Sequence, residues 1–241
     1  IALLIAPLSS VPAGLPLESG IGDILAATSI QDAEDTFAAI REAKPGGLGK
    51  AAAQDVHDRP TVTLREAMAL AADRDRIAQQ YATDFAGLLG RDRQWLVEEW
   101  NSAYDQAGRY SSNWRCHDPV YSVSMPPWEV AVIRFQLRLL ATTPDSLVVR
   151  KCGHAIATEL QHRAAVVAES AWPAEPSGWS QLLQFDQWLR ADGHRRNPGT
   201  TADFVAATLF AAVGDDLIQI PSLEEVEQHA TRIQQFLRKT V

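Results

Sequence analysis

The sequence is poor in the residues that most often announce chemistry. It has 241 residues, and its two cysteines, Cys116 and Cys152, are too far apart for a CxxC pair and give no ligand set for structural zinc. Nothing points to secretion, so two reduced thiols are expected. His57, His154, His162 and His194 show no HExxH spacing, which disfavours a zinc enzyme. There is no GxSxG elbow, no GxxxxGK[ST] phosphate loop, no internal repeat, no heptad run and no convincing strand pattern. No apolar run approaches the roughly 20 residues that a membrane-spanning helix needs. The opening Ile1–Leu8 stretch is apolar, but it has no basic leader and contains Pro7. It therefore reads as a buried helix whose first half lies upstream of Ile1, and the sequence as a fragment of a longer protein.

What remains is an ordinary globular balance, with 46% hydrophobic and 22% charged residues. The net charge of −8 argues against a broad nucleic-acid surface. A few clustered Arg and Lys residues still suffice for a polyphosphate. Apolar residues recur at helical spacing along most of the chain. Residues 9–20, with two prolines and two glycines, read as a loop, and Gly22–Ala43 as two helical pieces with Ser29 or Asp32 as cap. Thr63 opens the clearest helix, which continues with or without a break toward Phe85. Further helices are expected over 92–106, 127–140, 145–170, 182–189, 200–213 and 222–238. The sum is an all-α protein, a single multi-helix orthogonal or antiparallel bundle. The seven tryptophans are dispersed and read as core or helix-interface residues.

Three segments combine glycine with charge. In Lys44-Pro-Gly-Gly-Leu-Gly-Lys50, backbone N–H groups beside glycines can approach an anion closely; a helix C-cap and surface loop is the plainer alternative. Pro144-Asp-Ser-Leu-Val-Val-Arg-Lys151 offers Arg150 for bidentate phosphate contact and Lys151 as a point charge, or else a solvated helix end with an ion pair. In Asp192-Gly-His-Arg-Arg-Asn-Pro-Gly-Thr-Thr-Ala-Asp203 the chain turns at Asn197–Gly199, and Thr200 or Thr201 can cap a helix whose N-terminus attracts anions. Asp203 would sit in its first turn, either complementing the helix dipole or acting as a catalytic carboxylate. Asp73-Arg-Asp-Arg76 reads by default as surface ion pairs, with one acid free to bind metal and the other to pair with an Arg.

In order and rough spacing, several stretches resemble the triphosphoribosyl-dephospho-CoA synthase family, specifically its archaeal and bacterial branch. They are Ile5-Ala-Pro-Leu8, Pro45-Gly-Gly-Leu-Gly49 with Gln54-Asp-Val56, and Pro60 through Asp75. Tyr81-Ala-Thr-Asp-Phe85, Pro144 through Lys151 with Gly153, and Asn197 through Asp203 complete the set. The resemblance runs from residue 1 to about 213, which implies a helical domain over 1–213 and a C-terminal helical extension, 214–241, packed on it. Family members usually carry Pro-Lys-Pro-Gly and Asn-Thr-Asn-Leu-Gly-like segments ahead of the apolar helix, and neither precedes Ile1.

The resemblance implies a cytoplasmic transferase that moves the triphosphoribosyl group of ATP to 3′-dephospho-CoA or a similar acceptor and releases adenine. Magnesium is expected with the triphosphate, and a homo-oligomer is compatible with it. Neither nucleic acid nor membrane is an expected partner. Phosphate contacts are expected from Arg150, Lys151, Arg196, Asn197 and Gly199, and from the amides of Gly46, Gly47 and Gly49. Asp203 and Asp55 are the expected catalytic carboxylates, and Asp73 the candidate metal ligand. Two alternatives are a ribosyl transferase of tetrahydromethanopterin-linked cofactor synthesis and a non-catalytic nucleotide-binding subunit.

Overall fold

The computed structural model describes residues 1–43, 53–109 and 125–240, the side chains of 108–109 and 232–240 excepted. Among these residues the protein is all-α, as expected, with no strand. In chain order the helices are α1 (Ala2–Ser9), α2 (Leu17–Ala26), α3 (Ile30–Ala43), α4 (Leu64–Ala69), α5 (Arg76–Ala82) and α6 (Arg93–Arg109). They continue as α7 (Pro127–Thr142), α8 (Ser146–Cys152), α9 (His154–Ala168), α10 (Pro176–Arg190), α11 (Gly199–Gly214) and α12 (Leu223–Thr240). A π-helical turn, Leu88–Asp92, leads into α6. No described helix is long and apolar enough to cross a membrane. The chain forms two compact units: Ile1–Gln94 with Asp145–Ala157 and Pro198–Ala211, and Trp95–Pro144 with Thr158–Asn197 and Ala212–Val241. The glycine segment holding Gly46, Gly47 and Gly49 lies outside the described residues, as does Cys116.

In the first unit, caps set the helix starts. Asp32 Oδ2 accepts from the backbone and hydroxyl of Ser29, while Asp32 N donates back to Ser29 Oγ, so both candidate caps act together at α3. Thr63 and Glu66 form the same reciprocal box at α4. Helix α2 begins earlier than expected, at Leu17, because Leu17, Ile21 and Leu25 recur on one buried stripe. Pro7 sits inside α1 and has no N–H to donate to the carbonyl of Leu3. That carbonyl accepts instead from the Tyr81 hydroxyl of α5 at 2.7 Å, so a gap in one helix becomes a tie to another. The single helix expected over 145–170 is two, α8 and α9, since Gly153 takes φ +85°, a conformation that glycine adopts without steric cost. Pro144 stands ahead of the cap rather than in the first turn, and Asp145 is the N-cap.

The second unit buries Leu96, Trp100, Phe135, Leu139, Leu160 and Trp172. Pro127 occupies the first turn of α7, where its missing N–H costs nothing. Helix α10 uses Pro176 in the same way and so starts at 176 rather than 182. Trp95 and Trp188 are not plain core residues: Arg138 lies 4.5 Å over Trp95, and Arg163 and Arg196 lie 4.9 and 4.5 Å from the Trp188 ring centre. Near its N-terminus α10 presses Gly178 onto Trp172, where an added Cβ would lie 2.3 Å from the Trp172 nitrogen and 2.6 Å from its Cα. Because the obstacle is backbone, Gly178→Ala is expected to destabilise the protein by about 1–3 kcal/mol. Thermal unfolding followed by circular dichroism checks this, and an unchanged midpoint would show that α10 can shift at no cost.

Candidate functional site

The first unit contains a cavity of about 980 Å³ lined by α1 through α5, residues 54–56, α8 and the start of α11. Its lining is mainly apolar, with Leu25, Phe37, Leu64, Met68 and Leu147 among the contributors. The charged side chains on it are Asp32, Asp35, Asp55, Arg74, Asp75, Arg150, Lys151 and Asp203. An apolar pocket with a few convergent charges is the usual form of a small-molecule site.

Two segments distant in sequence build one wall. Asp145 is fully buried and uses both carboxylate oxygens. Oδ1 accepts from the backbone N–H groups of Leu147 and Val148, each at 3.0 Å, capping α8. Oδ2 accepts from the backbone N–H and the hydroxyl of Thr201 at 2.7 and 2.8 Å. Beside this clamp, the Ser146 and Thr200 hydroxyls lie 3.1 Å apart. Gly199 leaves room for Leu147, which would stand 2.7 Å from a Cβ there. The N-terminus of α11 does hold an anion, as its sequence suggests, and that anion is Asp145 of the same chain. Thr200 and Thr201 are not its caps; they lie inside the helix, and the Thr201 hydroxyl donates outward.

The clamp fixes the helices that carry the charges. Arg150 and Lys151 occupy the last turn of α8. Asp203 lies beyond the first turn of α11, not within it as expected, and faces the cavity with its side chain 34% exposed. Asp55 is 9% exposed, with Oδ1 accepting from the His57 backbone N–H at 3.0 Å. Asp32 is committed to capping, and its hydrogen bonds from the Ser29 side chain and backbone hold its carboxyl below the ordinary Asp value. Tyr81 also lines the cavity; burial raises its phenol above the ordinary value, and its hydroxyl is spent on the Leu3 carbonyl.

The structure thus brings together Asp55, Arg150, Lys151, Gly199 and Asp203. It does not bring Arg196, Asn197 or Asp73 to the cavity lining. Arg196 belongs to the second unit, where Nη1 donates to the Trp188 carbonyl at 2.8 Å and Nε lies 3.1 Å from Asp192. Asn197 is exposed, its backbone N–H donating to the His194 carbonyl at 3.1 Å. Asp73 is exposed in the turn that ends α4. Sequence reasoning placed Asp75 in an ion-pair cluster and Asp145 in a charged segment, but gave neither a role in the site. Both could have been found as Asp residues just before a helical run, the cap position, but their second partners could not.

The family of ATP:dephospho-CoA triphosphoribosyl transferases (CitG) matches residues 1–221. The chain belongs to this family. A crystal structure provisionally assigned as a triphosphoribosyl-dephospho-CoA synthase, from Archaeoglobus fulgidus, has the same fold. Its TM-score is 0.61 at 20% identity, over 90% of this chain and 82% of that one. No curated protein matches the chain. Every segment that shapes the described cavity falls inside the transferase match, whereas α12 begins just beyond it.

Proposed function

We infer that the cavity of the first unit is the active site of a triphosphoribosyl transferase acting on ATP and 3′-dephospho-CoA in the cytoplasm. The observation that carries this is the convergence of Asp55, Arg150, Lys151 and Asp203, from three separate stretches, on one largely apolar cavity. In the reaction the bond from the anomeric carbon of ATP's ribose to adenine breaks, and its electron pair leaves with the base, which is protonated. A ribose hydroxyl of the acceptor forms the new C–O bond and loses its proton. Such a centre passes through oxocarbenium-like character, so a carboxylate that accepts the hydroxyl proton lowers the barrier. We assign that role to Asp203. Arg150 and Lys151 bind the triphosphate, the first by its planar fork and the second as a point charge. The apolar lining takes up the adenine and keeps bulk water from competing with the acceptor.

No group of three or more acidic, His or Cys side chains among the described residues is arranged to hold a metal. Magnesium does not need one, since it is commonly bound through one or two carboxylates together with substrate phosphates. Asp55 fits that requirement better than Asp73, because it lines the cavity and Asp73 does not. When bound, magnesium neutralises part of the triphosphate charge. No observation favours the methanopterin-linked acceptor or a non-catalytic role.

The test is a mass-spectrometric assay of the purified full-length protein with ATP, magnesium and dephospho-CoA. The expected result is adenine together with a triphosphoribosyl adduct of dephospho-CoA. Adenine released only with another acceptor would keep the chemistry and replace the acceptor. No adenine from a folded protein with any acceptor would overturn the assignment.

A further inference from the structure

Asp75 does two jobs with one carboxylate. Its Oδ1 accepts from the backbone N–H groups of Ile77 and Ala78 at 2.8 and 3.3 Å and so caps α5. Its Oδ2 accepts from Arg150 Nη1 at 2.9 Å, across 75 positions of sequence. Both residues line the cavity, and their side chains are 22% and 28% exposed for Arg150 and Asp75 respectively.

An ion pair between two free, exposed side chains gains little, because both must be ordered to form it. This pair differs. Asp75 is already immobile, tied to the first turn of α5, so only the arginine has to be fixed. Arg150 for its part rises from α8, whose N-terminus is clamped by Asp145. The guanidinium is therefore held between the capped start of α5 and a helix whose own start is clamped. A cation ordered in advance meets its anion without the cost of ordering on binding.

We propose that Asp75 is a positioning residue for polyphosphate recognition, setting Arg150 in the cavity ahead of the substrate. This rests on the reading above that Arg150 contacts the triphosphate. It assigns Asp75 neither proton transfer nor metal binding, since each of its oxygens already serves a partner.

The test separates the two jobs. Asp75→Asn keeps a good helix cap, because Asn ranks with Asp at that position, while removing the charge that holds Arg150. Binding of inorganic tripolyphosphate is measured by titration calorimetry for wild type, Asp75→Asn, Arg150→Met and the double variant, with circular dichroism on each. The expected result is binding weakened roughly three- to tenfold by Asp75→Asn, with helicity unchanged and no further loss when it is added to Arg150→Met. In turnover assays the same variant raises KM for ATP more than it lowers kcat. Unchanged binding in Asp75→Asn, or a full additional loss in the double variant, would overturn the proposal. Failure of the wild type to bind tripolyphosphate would overturn it as well. If the cycle is non-additive but no adenine is released, the positioning role stands and the reaction assignment fails. If adenine is released and the cycle is additive, the reverse holds.

Discussion

Replacement of Asp145 by alanine is expected to lower the stability of the protein by at least about 1–3 kcal/mol, the cost of leaving one buried donor without a partner. The carboxylate is wholly buried and accepts four hydrogen bonds, two at the start of α8 and two from Thr201 in α11. Alanine would leave those donors facing a dry gap, and an unsatisfied buried donor costs more than the hydrogen bond was worth. Asparagine should recover only part of the loss. Its oxygen can still cap α8, but its NH2 then points at the Thr201 N–H, two donors face to face. Denaturant unfolding measures both variants, with the midpoint falling in the order wild type, Asp145→Asn, Asp145→Ala. A midpoint for Asp145→Ala equal to wild type would show that the clamp contributes nothing.

Asp203→Asn is expected to cut turnover by about 10²- to 10⁴-fold, the range typical of a lost general base. The substitution keeps size and shape and removes the proton-accepting charge. Asp203 lies beyond the first turn of α11, so it caps nothing, and helical circular dichroism should not change. With the carboxylate acting, as proposed, on the acceptor's proton and not on the triphosphate, KM for ATP should move little while kcat falls. A kcat within a few-fold of wild type would remove Asp203 from the base role and turn attention to Asp55.

The sequence displays the helices wherever local chemistry decides them. Thr63 with Glu66, Ser29 with Asp32, and Pro127 announce their helix starts within four residues. Prolines are read less surely, because the same residue can open a helix or sit within one. Pro176 serves as the first helical residue six positions before the expected start, and Pro7 stays inside α1, where Tyr81 takes over the freed carbonyl. The site divides in the same way. Arg150, Lys151, Asp55, Gly199 and Asp203 are legible as residue types in charged, glycine-bearing segments, and they do meet on one cavity. Arg196 has the same local credentials, but Trp188 and Asp192 engage its guanidinium. The Asp75–Arg150 and Asp145–Thr201 pairs span 75 and 56 positions, and no periodicity or cap preference carries information over that distance.

The first unit is drawn from three separate stretches of chain, 1–94, 145–157 and 198–211, and all three contribute to the cavity. A growing chain emerging from a ribosome therefore cannot complete this site by folding its first half. The apolar faces of α1 through α5 must wait for Asp145 and then for Thr201, and closing such long loops comes before the contacts that reward it. The order of synthesis thus completes the cavity only once the stretch from 198 has emerged. Until Thr201 and Asp203 arrive, the nascent protein exposes part of the apolar surface that will later line the cavity, and this is the interval in which aggregation competes with folding.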